Sequence, residues 1–140
     1  MKKYNLVSTN WDKKEIKAIN KVVKSGYFTI GKNVQNFEKA FSKKQGIKYS
    51  VMVNSGSSAN LIAIYSLFFK KNNPLKRGDE VLVPALSWST TYSPLEQLGL
   101  KIKIIDININ TLNVDIDILK KNITSKTKLI IGVSILGNPL

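Results

Sequence analysis

The sequence predicts an α/β protein whose mostly parallel sheet is covered by helices on both faces, preceded by N-terminal helices. Three observations carry this. From Tyr49 to the end, short strand-like runs alternate with helix-like runs at βα spacing. The strand-like runs are largely continuous apolar stretches, as in sheets buried on both sides. Turn signals punctuate them, at Gly78-Asp79, Pro84 and Gly99.

Taken in order, "NWDKKEIKAINKVVKSG" reads as an amphipathic helix with Ile16, Ile19, Val22 and Val23 at helical spacing. Asp12 with Glu15 makes a capping box, and Gly26 suits the stop. "YFTIG" is a short extended piece. "KNVQNFEKAFSKKQG" places Val34, Phe37 and Phe41 on one helix face and closes at Gly46. "YSVMVNSG" alternates like a strand and runs into a polar cluster. "SANLIAIYSLFFKK" is a helix apolar nearly all round, which predicts burial. Glu80–Val83 is a strand stopped by Pro84, and "WSTTYSPLEQLG" is a helix with Pro94 in its first turn or at a kink. "KIKIIDI" is a strand, "DIDILKKNI" a short helix and "TKLIIGVSILG" a fully apolar strand. Residues 1–46 therefore read as an N-terminal helical segment, and 47–140 as the first part of an α/β domain. Ending on "LGNPL", straight after a buried strand, suggests the N-terminal part of a larger protein.

Composition removes whole classes of chemistry. The 140 residues contain no cysteine and no histidine. Disulfides, thiolate metal sites and Ser-His triads are excluded within this sequence, and no metal site is expected. No apolar run suggests a membrane span, and "MKKYNLVSTNW" lacks the apolar core of a secretory signal, so a cytoplasmic protein is expected. The formal net charge is +13. That would suit a polyanion, but the lysines are spread along the chain at helix ends and loops, which favours solvated faces. Phe37, Phe41, Phe68 and Phe69 sit at helical core spacing rather than interleaving with lysines on a surface, so no specific nucleic-acid binding is expected.

The polar cluster "NSGSSAN" follows a strand-like run and opens a helix. A single serine there would cap the helix. Alternatively, the free N–H groups and positive dipole end of the first turn, with Gly56 allowing close approach and Ser57 and Ser58 adding hydroxyls, would hold an anion. One cap needs one such residue, so the run favours phosphate. Neither G-x-x-x-x-G-K-[ST] nor G-x-S-x-G is present. A second constellation, "VPALSWSTTYSP", presents Ser87, Trp88 and Ser89 beyond a strand end. Trp88 either packs in a core or offers its face to a flat ring. A phosphate and a flat ring together suggest a phosphorylated aromatic cofactor.

The stretches "GYFTIGKNVQNFEKAF", "VNSGSSANLIAI", "GDEVLVPALSWSTTYSPLEQLGLKIKIIDININTLNVD" and "ILGNP" resemble the DegT/DnrJ/EryC1/StrS group of sugar aminotransferases, fold-type I enzymes dependent on pyridoxal phosphate. The resemblance covers nearly the whole chain. "FTIG", "PALSWSTTYSPLEQ" and "LGNP" look most like the branch of nucleotide-sugar 3-dehydratases, which act on 4-keto-6-deoxyhexoses on GDP or CDP, on routes to 3,6-dideoxy sugars of lipopolysaccharide. It implies a three-layer domain using pyridoxal 5'-phosphate or pyridoxamine 5'-phosphate, with Gly56, Ser57 and Ser58 on the phosphate, Trp88 on the ring and Asn138 on the cofactor side. Phe28, Thr29 and Gly31 would approach the substrate. The acidic partner of the pyridine nitrogen, and the lysine or histidine that separates aminotransferases from dehydratases, would lie beyond residue 140. No catalytic residue is therefore expected within the chain, which should not turn over alone. A homodimer is implied at full length. Two other readings remain: a basic polyanion-binding domain and a non-functional fragment.

Overall fold

A computed structural model describes residues 8–140. Its contacts divide the chain into two units, Met1–Met52, described from Ser8, and Val53–Leu140.

The first unit is built from two helices. α1 spans Lys13–Ser25 and carries the expected capping box: Asp12 accepts from the Lys14 N–H, Glu15 accepts from the Asp12 N–H at 2.7 Å, and Gly26 closes it at φ 65°. Only Gly among common residues adopts that left-handed conformation at little cost. Residues 29–31 bend, and α2 spans Lys32–Gln45, ending on Gly46. Neither helix contains a buried residue. Phe37 and Phe41, expected in a core, are half-exposed and touch each other, with ring centroids 5.9 Å apart. Phe69 is exposed as well. Helical spacing aligns apolar side chains on one face but does not supply the surface that covers them.

The strand expected at Tyr49–Val53 does not form. A strand needs a neighbouring ladder, and this segment instead lies along α2. The Ser50 hydroxyl donates to the Glu38 carbonyl (2.7 Å), and the Met52 N–H donates to the Glu38 carboxylate (2.9 Å).

The second unit holds a three-stranded parallel sheet in the order β2-β1-β3, where β1 is Glu80–Pro84, β2 Lys101–Ile105 and β3 Thr127–Ile130. β1 lies in the centre, and Val81–Pro84 are all buried. Alternate side chains enter opposite cores, as the strand period of two requires. Val81 and Val83 pack with Ile64, Leu75, Leu95 and Leu100, whereas Leu82 packs with Ile105 and Val114, with Leu119 against them. The first core is covered by α3 (Gly56–Ser66) and α4 (Ser89–Gln97), the second by α5 (Ile116–Asn122). The result is helix, sheet and helix in three layers.

Two expectations are corrected here. α3 is buried only at Ile64, while Ile62 and Tyr65 are about half exposed. The sheet reaches one side of this helix and leaves the opposite side uncovered. The last strand stops at Ile130 instead of running through the apolar stretch. The Ile131 N–H still donates to the Leu82 carbonyl at 2.9 Å, but the next rung needs a donor from Pro84, which has no N–H. Beyond it the chain turns into a short 3-10 segment at Ile135–Gly137.

Candidate functional site

The polar cluster forms the start of α3. Ser55 is its cap: the hydroxyl oxygen accepts from the Ser58 N–H at 3.2 Å, and the Ser55 carbonyl accepts from the Ala59 N–H at 3.0 Å. Capping therefore uses one serine of the run. The N–H groups of Gly56 and Ser57 meet no acceptor among the described residues, and Gly56 and Ser57 are exposed, with Ser58 partly so. A Cβ built on Gly56 meets nothing within 4 Å, so packing within the chain does not require glycine there. Open space, free amides and two hydroxyls at the positive end of a helix suit an anion.

Trp88 immediately precedes α4, beyond the carboxyl end of β1, and is 75% exposed. It is not a core residue of this chain. The turn that presents it is fixed from beneath. The Tyr92 hydroxyl donates to the Pro84 carbonyl at 2.7 Å, and the hydroxyls of Ser87 and Thr91 are bonded at 2.8 Å. Burial raises the Tyr92 phenol above its ordinary value of 10.0, partly offset by a hydrogen bond with Ser87.

α3 and α4 meet near their beginnings. The Asn60 side-chain amide donates to the Thr90 carbonyl at 3.3 Å. A shallow groove of about 260 Å³ is lined by Ser57, Ser58 and Leu61 from α3 and by Thr90, Ser93, Pro94 and Gln97. A larger groove, about 580 Å³, is lined by Asn60, Ala63 and Ile64 of α3, by Leu67 just after it, by Thr91 of α4 and by the β3 edge at Leu129–Val133. None of the expected cofactor residues lines it. It follows the unpaired side of the sheet and is lined mainly by apolar side chains, with Asn60 and Thr91 as its polar side chains.

Asn138 is tied into the loop after β2. Its side-chain amide donates to the Thr111 carbonyl (2.9 Å), while Asn113 donates to the carbonyls of Asn138 (3.4 Å) and Pro139 (2.7 Å). The Asn138 side chain is thus already engaged within the chain. Phe28, Thr29 and Gly31 belong to the first unit. Phe28 is 74% exposed. Gly31 is explained locally, because a Cβ there would lie 2.6 Å from Cε1 of Tyr27.

Three residues of this neighbourhood escaped the sequence reading: Asn60, Tyr92 and Asn113. Asn60 carried a signal, since asparagine is a poor helix-interior residue. Tyr92 and Asn113 act through partners that the fold brings together.

A parallel sheet covered on both faces, with helix-opening turns beyond a strand end, defines the class of α/β ligand-binding domains that bind at the carboxyl edge of the sheet. The chain belongs to the DegT/DnrJ/EryC1/StrS aminotransferase family, whose model matches residues 9–140. It is 54% identical over 136 residues to the GDP-4-keto-6-deoxy-D-mannose 3-dehydratase of Yersinia pseudotuberculosis, covering 97% of this chain and 35% of that protein. It superposes with a TM-score of 0.94 and 54% identity on the E. coli GDP-4-keto-6-deoxy-D-mannose-3-dehydratase with bound hydrated PLP, covering 99% of this chain and 36% of the other. A sugar aminotransferase fold from Streptococcus pneumoniae, Spr1654 in its PMP-form, is similar at 28% identity and a TM-score of 0.82, covering 94% of this chain and 32% of the other. The chain thus spans about a third of the length of the relatives it matches.

Proposed function

We propose that this chain forms the phosphate-holding part of an enzyme dependent on pyridoxal or pyridoxamine phosphate that removes the C3 hydroxyl of a nucleotide-linked 4-keto-6-deoxy sugar, with GDP the favoured carrier. The observation that carries the reading is the start of α3, where Ser55 alone serves as cap and leaves the Gly56 and Ser57 amides and the Ser57 hydroxyl without a partner among the described residues. The 54% identity to a dehydratase against 28% to an aminotransferase favours the dehydratase reading.

The residues present fit the cofactor. Gly56, Ser57 and Ser58 would hold its phosphate, Trp88 would lie on its ring, and Asn138 would stand on the cofactor side, fixed there by Thr111 through its side-chain amide and by Ile135 and Asn113 through its backbone. When bound, the cofactor supplies an electron sink for breaking bonds beside a ketone. The chain's own part is to bind and orient: helix-start amides neutralise phosphate charge, and an aromatic face excludes water from one side of the ring. Phe28, Thr29 and Gly31 are proposed to approach the sugar. We place the enzyme in the cytoplasm as a homodimer; no helix among the described residues is long and apolar enough to cross a membrane.

Titrating the full chain with pyridoxal phosphate, read by quenching of Trp88 fluorescence in a Trp11→Phe background, tests the reading. Binding should weaken by roughly 100-fold or more in Ser57→Ala/Ser58→Ala, from two hydrogen bonds to a charged group at about 1.5 kcal/mol or more each. Trp88→Phe removes the one tryptophan left in that background, so it is read by the absorbance of the cofactor itself, and binding should weaken. Saturable binding that ignores both changes would sink the site assignment. Because no catalytic residue is expected within these 140 residues, the chemistry is tested on a protein of the relatives' full length that carries this chain: with GDP-4-keto-6-deoxymannose, loss of the C3 hydroxyl supports the dehydratase, whereas an aminated sugar would replace it by an aminotransferase.

A further inference from the structure

Pro94 is the sixth residue of α4 and is buried. In an unbroken helix the N–H at that position would bond the carbonyl four residues earlier, that of Thr90. Proline brings no N–H, so the Thr90 carbonyl lacks its helical partner, and Asn60 supplies one from α3 at 3.3 Å. Asn60 lies four residues after Gly56, on the same helix face. Thr90 lies two residues after Trp88. One hydrogen bond therefore ties the turn that carries the serines and glycine to the turn that carries the tryptophan. The shared groove that Ser57 and Ser58 line with Thr90 and Ser93 shows the same two turns side by side.

We propose that Asn60 is a positioning residue. By bonding the carbonyl that Pro94 leaves free, it sets the separation between the phosphate-holding turn and the ring-facing Trp88. This rests on the cofactor reading above, and it adds a residue that touches neither phosphate nor ring. Asparagine suits the task because its short amide donates without charge. Aspartate would set an acceptor against an acceptor.

The test uses the full chain with Asn60→Ala, Asn60→Gln and Asn60→Asp, each also combined with Pro94→Ala. Three quantities are measured: affinity for pyridoxal phosphate, affinity for inorganic phosphate, and the circular dichroism induced in the bound cofactor. Asn60→Ala should weaken pyridoxal phosphate roughly 3- to 10-fold, about one hydrogen bond, and reduce the induced signal. Inorganic phosphate, which needs only the α3 turn, should bind as before. Asn60→Gln should restore part of both cofactor readouts, and Asn60→Asp should restore neither. Thermal stability supplies the second check. Pro94→Ala returns a helical donor to Thr90, so the Tm lost on Asn60→Ala should shrink in that background.

Unchanged cofactor affinity and dichroism in Asn60→Ala would overturn the inference. So would equal weakening of phosphate and cofactor, or an equal Tm loss in both backgrounds. A parent chain that binds neither ligand would instead sink the cofactor reading, while the Tm comparison would still report on the Asn60–Thr90 bond.

Discussion

The two units were built from similar local signals and reached different ends. In the first, α1 is capped at both ends, α2 closes on Gly46, and both carry a clear apolar stripe, yet neither contains a buried residue: Ile16 and Val23 stand at least half exposed. In the second, α3, with a less one-sided pattern, is anchored through Ile64 to a core that also holds Val81 and Leu95. Local patterning decides whether a helix can form and which side is apolar. Burial, which contributes most of helical stability in proteins, depends on a sheet being there to receive that side.

The sharpest way to break this comparison is truncation at matched positions. Leu82→Ala and Leu95→Ala remove side chains that are 0% exposed and should each cost about 2–5 kcal/mol. Ile16→Ala on α1, half exposed at 50%, should cost about 1 kcal/mol or less. Urea unfolding of each variant checks the ranking, and equal costs would mean that the first unit has a core after all.

Gly31→Ala comes next. The added methyl meets the Tyr27 ring at 2.6 Å, and relief of that overlap should cost about 1–2 kcal/mol. Tyr27→Ala in the same chain should cancel most of it, and hydrogen exchange in α2 would report both. Asp12→Ala, which removes a cap, should cost about 1 kcal/mol. Exchange should accelerate in the first turn of α1 and stay unchanged in β1. A change in β1 would join the two units energetically.

The smallest effect is a pH dependence confined to the second unit. Burial raises the folded-state pKa of Tyr92 above 10.0. Its contribution to stability is therefore complete below the unfolded value, and is lost as pH rises through the raised folded value. Tyr92→Phe should flatten that alkaline decline while losing the bond to the Pro84 carbonyl. A decline of the same steepness in the variant would assign it to other groups.

Much of the local geometry of the candidate site is legible in the sequence because its parts are contiguous. "NSGSSAN" announced a helix start with more donors than a cap consumes, and "LSWST" announced a tryptophan beyond a strand end. What was misread depends on neighbours. Tyr49–Val53 alternates like a strand, but Glu38 takes the Met52 N–H that a ladder would have used. Phe37 and Phe41 have core spacing without a core.

The sequence by itself determined the order of the elements, the Asp12–Glu15 capping box, the glycine stops at Gly26 and Gly46, and the βα alternation of the second half. These follow from dihedral preferences and from hydrogen bonds between residues a few positions apart. The tertiary structure alone decided which apolar faces are covered, where β3 stops, and which group meets the carbonyl of Thr90. Those outcomes join residues tens of positions apart: Ile131 to Leu82, Asn60 to Thr90. A donor missing from Pro84 or Pro94 can be read from the sequence; the partner that answers it exists only once the chain has folded.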